Sequence, residues 1–230
     1  MSWDVAVQGI GQDYVTLFIG IPALLLGLYL TLKGSVKGKI FFAGVIFYIF
    51  VNYLFYTIMG MYNELFIIYF SLMGLTFFAL AIVLFSFDLS KLPKNFTEKV
   101  PNKLTGIFLI VNTIMIALLW LQVIIPPLVD GTIIPEQVQH YTTLIVQGMD
   151  LGLLLPLAFV SGLFFIKKKT LGFLLAPIYI VFLSFQMTAL LGKIIAMSMI
   201  GVSAGPALIV IPTLLIVLIT SSVLTLKTVK

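Results

Sequence analysis

Seven stretches of the chain are each long and apolar enough to be buried from end to end, at about residues 14–32, 40–60, 65–87, 104–126, 141–166, 171–193 and 206–226. A helix needs about 20 apolar residues to cross a hydrocarbon core of roughly 30 Å, and there every backbone N–H and C=O must be satisfied within the segment. The pattern therefore predicts an all-α fold, a polytopic membrane helix bundle of seven transmembrane helices. These spans take up most of the 230 residues, so a single seven-helix domain over 1–230 is expected, with no soluble domain left to carry separate chemistry. With 61% of residues apolar, 9% charged and a mean hydropathy of +1.22, the chain lacks the polar side chains that a water-facing surface requires. The same figures exclude a disordered chain and a nucleic-acid-binding domain, and the absence of cysteine excludes a disulfide scaffold.

Charge gives the expected orientation. All 13 basic residues are lysines. Lys33, Lys37 and Lys39 follow span one; Lys91, Lys94, Lys99 and Lys103 follow span three; Lys167, Lys168 and Lys169 follow span five; Lys227 and Lys230 end the chain. Every second connection thus holds twelve of the thirteen lysines, while Asp4, Asp13, Glu64, Asp130 and Glu136 fall on the other side. By the positive-inside rule the N-terminus is outside and the C-terminus cytoplasmic. No basic residue precedes span one, so it reads as a retained span and not as a cleaved signal. A short echo, Tyr14-Val15-Thr16-Leu17 and Tyr141-Thr142-Thr143-Leu144, would suit a parallel three-plus-one-plus-three repeat. Chance explains so short a match better.

Asp150 is the most informative polar residue. Counted from residue 141 it lies about ten residues, or roughly 15 Å, into span five, near the bilayer midplane. A carboxylate there costs at least about 2.5–3.5 kcal/mol unless it is paired, protonated or wetted. At 100° per residue His140, Thr143, Gln147 and Asp150 share one face, a polar stripe leading in from the outer surface. Gly148 and Gly152 lie on the opposite face and would admit a close helix. Three readings of Asp150 stand side by side: interhelical glue, a ligand or ion site, and a proton relay. Its candidate partners inside other spans are Asn52, Asn112, Ser184 and Gln186. Lys193 reads as a lysine snorkelling at the outer end of span six, or as a counter-ion brought down to Asp150 by a bend.

Other chemistries lack their residues. A single histidine is too few for a catalytic metal cluster or a bis-histidine haem, and there is no phosphate loop or nucleophile elbow. Span seven has no buried lysine for a retinal Schiff base. No cofactor, metal or nucleic-acid partner is expected, and an enzyme is the weakest class. Trp3 and Trp120 suit the outer interface, and the aromatics of span two suit packing or lipid contact.

Val15-Thr16-Leu17 through Pro22, the turn Lys33–Lys39, Tyr62-Asn63-Glu64-Leu65-Phe66, and Tyr141-Thr142-Thr143 with Gln147 and Asp150-Leu151-Gly152 are the stretches that carry a resemblance. Together they resemble a family of uncharacterised prokaryotic multi-pass integral membrane proteins. The resemblance implies a prokaryotic cytoplasmic membrane and no activity. The expected function is binding or transport of a small or lipid-like molecule in an outward-facing cleft lined by span five, with Asp150, Gln147, Thr143, His140, Asn52, Gln186 and Lys193 at the site. The alternatives are a membrane subunit or sensor that docks a protein partner or a second copy, and, more weakly, an intramembrane enzyme acting on lipid.

Overall fold

The computed structural model describes residues 3–131, 138, 141–202 and 205–230. Seven helices in it are long and apolar enough to cross a membrane: Val5–Leu32, Val36–Met59, Phe66–Phe85, Asn102–Asp130, Ile145–Ile166, Thr170–Met199 and Ala207–Lys227, spans one to seven. Among the described residues there is no strand, only an isolated antiparallel bridge between Phe96 and Val229. This is a multi-pass membrane protein.

Several helix ends differ from the hydropathy reading. Span one begins at Val5, which takes Gln12 and Asp13 into the helix and does not leave them as its flank. Span four runs through Pro126 and Pro127 to Asp130, where a loop was expected. Span five begins at Ile145, so Asp150 stands five residues, about 8 Å, from the start of its helix, where ten residues were expected. Span six continues to Met199, six residues beyond Lys193, so that lysine is interior to its helix and not at the tip.

The chain divides into two compact units, residues 1–101 with 177–230, and residues 102–176. In the first, the core lies where span two meets the greater part of span six. Gly44 admits the contact: a Cβ there would stand 2.5 Å from Cγ1 of Val181 and 2.9 Å from the Ile178 carbonyl. Phe47 stacks on Phe182 with centroids 4.2 Å apart, and Tyr48 meets Phe185 at 5.7 Å. Contacts climb both helices together, so the two run in the same direction. Span three buries no residue and presents Leu75, Phe78, Ile82 and Phe85 outward, as lipid-facing positions should be.

In the second unit spans four and five touch at Gly106 and Gly162, where a Cβ on either would come 2.7 Å from the other's carbonyl oxygen. That is the small-residue contact of span five. Gly148 and Gly152, expected to serve this purpose, are exposed, and a Cβ on either would meet nothing within 4 Å.

The hairpin of spans one and two and that of spans five and six share a build. Each first helix contains a five-residue π-helical turn, Thr16–Gly20 or Asp150–Leu154, followed by twelve α-helical residues with proline second, Pro22 or Pro156. Each ends on lysine, Lys33 or Lys167, and then a residue of positive φ, Gly34 at 80° or Lys168 at 52°. In each, a glycine of the next helix, Gly38 or Gly172, sits hard against the backbone of Leu30 or Phe164. Every pair is 134 residues apart, as Thr16 is from Asp150. The expected Tyr-Xaa-Thr-Leu echo uses another spacing and is not this repeat. Tyr14–Leu17 lies inside a helix, whereas Tyr141–Leu144 precedes one.

Candidate functional site

Two polar places interrupt the apolar helices, one in each unit. In the unit of residues 102–176, Asp150 opens the π-helical turn of span five, and the Trp120 indole Nε1–H donates to its Oδ2 at 2.7 Å. Trp120 therefore serves the carboxylate, where an interface anchor had been expected. Gln147 is half-buried one turn before Asp150, and Thr143 is exposed ahead of the helix. His140 lies outside the described residues. Close by, burial pushes the Tyr141 phenol above its ordinary pKa.

The richer place joins spans one and two. Tyr48, Asn52 and Tyr56 recur every four residues, so they form a ladder on one face of span two. The ladder faces the stretch from Gly9 to Thr16. At one rung the Thr16 hydroxyl donates to the Gln12 carbonyl at 3.0 Å. Its single proton is thereby used, so in the 2.8 Å contact between Thr16 and Tyr48 the phenol is the donor. Two turns along, the Tyr56 hydroxyl donates to Asp13 Oδ1 at 2.7 Å. The Gly9 carbonyl, at 3.4 Å from the same hydroxyl, is the weaker alternative. This bond explains how an acid stays inside span one: a phenol on the neighbouring helix donates to its carboxylate.

Asn52 sits between these satisfied rungs and is only 2% exposed. It approaches the Tyr48 phenol without reaching hydrogen-bond geometry, and neither Oδ1 nor Nδ2 has a partner. Buried polar groups left so cost about 1–3 kcal/mol each, and sites that keep them present the atoms to something else.

Span six adds Lys193 and Gln186. Its Gly192 packs on Gly11, where a Cβ would stand 2.6 Å from the Gly192 carbonyl oxygen. The crossing brings Lys193 to within a turn of the level of Asp13. Among the described residues Lys193 makes no ion pair. Gln186, two turns earlier, has a buried Oε1 without a partner, and it stands 134 residues after Asn52, at the equivalent place in the repeat.

The same unit holds a cavity of about 230 Å³ lined by Ile19, Phe41, Val181, Phe185, Ser222 and Leu226, among others. The hydroxyls there are consumed, Ser184 bonding both Ser222 at 2.9 Å and the Ile180 carbonyl at 2.8 Å. It is an apolar slot without free polar atoms.

Of the residues singled out from sequence, Asn52, Gln186 and Lys193 thus belong to one unit, and Asp150, Gln147 and Thr143 to the other. Sequence reasoning missed Asp13, Thr16, Tyr48 and Tyr56. A signal for Asp13 was available: Val5, Ala6, Val7 and Ile10 extend the apolar run on its N-terminal side. No group of three metal-binding side chains is found among the described residues. Compared with known protein families, curated proteins and solved structures, the chain matches none.

Proposed function

We propose that this protein binds a small polar molecule within the membrane and carries it across, at the ladder that spans one and two build around Asn52. The observation that carries this reading is the Asn52 amide, buried and unbonded on both atoms between two satisfied tyrosines. A packing residue in that place would be apolar, and structural glue would be bonded. A ligand that supplies one donor and one acceptor completes it. This reading centres on spans one and two, where the sequence alone had pointed to a cleft lined by span five and Asp150.

Movement, beyond binding, is favoured by the duplicated π-helical turns. Each loosens one helix near a proline, and such turns are found where helices serve function by bending. The alternating lysines favour an N-terminus outside and a C-terminus inside, and the resemblance to prokaryotic multi-pass proteins favours a prokaryotic cytoplasmic membrane.

Native mass spectrometry of the full chain beside Asn52→Leu tests the reading. A small polar mass that accompanies the wild type and leaves with the substitution is the expected result. Identical spectra from the two proteins, together with equal uptake of labelled polar solutes by liposomes carrying them, would overturn it.

A further inference from the structure

We propose that the ligand of this site is a small zwitterion, a molecule bearing an ammonium and a carboxylate group in the manner of an amino acid or a betaine. The inference rests on the polar-site reading above and names the chemistry that the site would select.

The positive end has a seat at Asp13. One oxygen of that carboxylate takes the Tyr56 hydroxyl at 2.7 Å, and no described group bonds the other. Tyr56 also belongs to a cluster of three tyrosines. Its ring centroid is 5.4 Å from that of Tyr69 and 5.9 Å from that of Tyr53, and the latter two are 6.3 Å apart. All three rings are half-buried, so each keeps an accessible portion. A carboxylate beside electron-rich ring faces is the surrounding that holds an ammonium group, whether protonated or fully methylated.

The negative end has a seat at Lys193. The Gly11–Gly192 crossing sets this ammonium near the level of Asp13, yet the two form no ion pair. Opposite charges left unpaired at one level of a membrane helix crossing are costly unless something bridges them.

Net charge then separates the ligand classes. Asp13 and Lys193 together are neutral. A simple cation or anion would leave one of these two side chains without a counter-charge, whereas a zwitterion adds no net charge and satisfies both. The free amide of Asn52, on the same ladder as Tyr56, supplies a neutral donor and acceptor to the body of the molecule.

Equilibrium binding to the full-length protein in lipid nanodiscs tests this, with four probes: a mixture of the proteinogenic amino acids, glycine betaine, choline as a cation alone, and acetate as an anion alone. Saturable binding of an amino acid or of glycine betaine is expected, at least about tenfold tighter than choline or acetate, which is the worth of one charge-assisted contact. Asp13→Asn and Lys193→Gln should each weaken it about tenfold or more, in preparations whose thermal unfolding stays cooperative. Choline binding as tightly as the zwitterions and indifferent to Lys193→Gln would overturn the inference while leaving a polar site at Asn52 intact. So would a co-purifying uncharged molecule lost in Asn52→Leu. No binding of any probe, with no mass lost in Asn52→Leu, removes both readings.

Discussion

Replacing Asn52 by leucine separates a ligand site from a packing site by the sign of its effect. Leucine has the same branched shape and the same number of heavy atoms, so the substitution removes hydrogen-bonding capacity with little change in volume. Asn52 is 2% exposed and both amide atoms lack partners. Each such group costs about 1–3 kcal/mol when isolated in a folded interior, but a membrane-embedded unfolded state also lacks water. The net expectation is a ligand-free protein stabilised by about 1–3 kcal/mol, measured as a shift of the reversible unfolding midpoint in mixed micelles of rising dodecyl sulfate content. Thr16→Val, a similar loss of one polar atom only one rung away, carries the opposite expectation. It strands the Tyr48 hydroxyl, whose 2.8 Å bond then has no acceptor, and should destabilise by about 1–3 kcal/mol. A destabilised Asn52→Leu, falling on the same side as Thr16→Val, would refute the reasoning, because it would mean that the amide is bonded in the resting protein.

Other expectations concern the frame. Gly106→Ala should cost about 1–3 kcal/mol, since its Cβ would lie 2.5 Å from Cγ1 of Ile166 and 2.7 Å from the Gly162 carbonyl oxygen; Gly148→Ala, with nothing within 4 Å, should be neutral or slightly stabilising in the same unfolding assay. Lys168→Gly should stabilise by roughly 1 kcal/mol by relieving the positive φ of 52°, and an unchanged midpoint would argue against strain there. Asp88 accepts from Ser90 and pairs with Lys91 at 3.0 Å, which lowers its pKa to about 2. A depressed carboxylate favours folding above its unfolded value near 4 and loses that contribution as pH falls toward 2, so carbon-detected NMR should place its midpoint near 2 and Ser90→Ala should raise it.

The number of spans and the alternation of lysines were legible because both depend only on composition along the chain. Helix ends were not, since a hydropathy window treats an acid as flank. Asp13 stays inside span one because Tyr56, 43 residues away, donates to it, and no local pattern shows a distant donor. The end of span six was misplaced for a related reason: the helix continues past Lys193, and Gly192 fits against a glycine of another span. Asn52 was visible as a lone polar residue, but that its amide is unbonded is a property of its neighbours. The small-residue face of span five failed on periodicity. Face arithmetic at 100° per residue assumes an unbroken α-helix, and the π-helical turn at Asp150 holds more residues per turn, which shifts the register between its two sides.

The spacing of 134 residues also constrains the number of crossings. Between the first hairpin and its counterpart lie two crossings, spans three and four. An even number returns the chain to the side from which it set out, so the second hairpin enters as the first did, in agreement with spans two and six running side by side in the same direction. Deleting either intervening helix alone would turn the second hairpin upside down and carry Lys167, Lys168 and Lys169 to the face opposite Lys33, Lys37 and Lys39. Parity, and not packing, is then the reason that an even number of helices lies between the two hairpins.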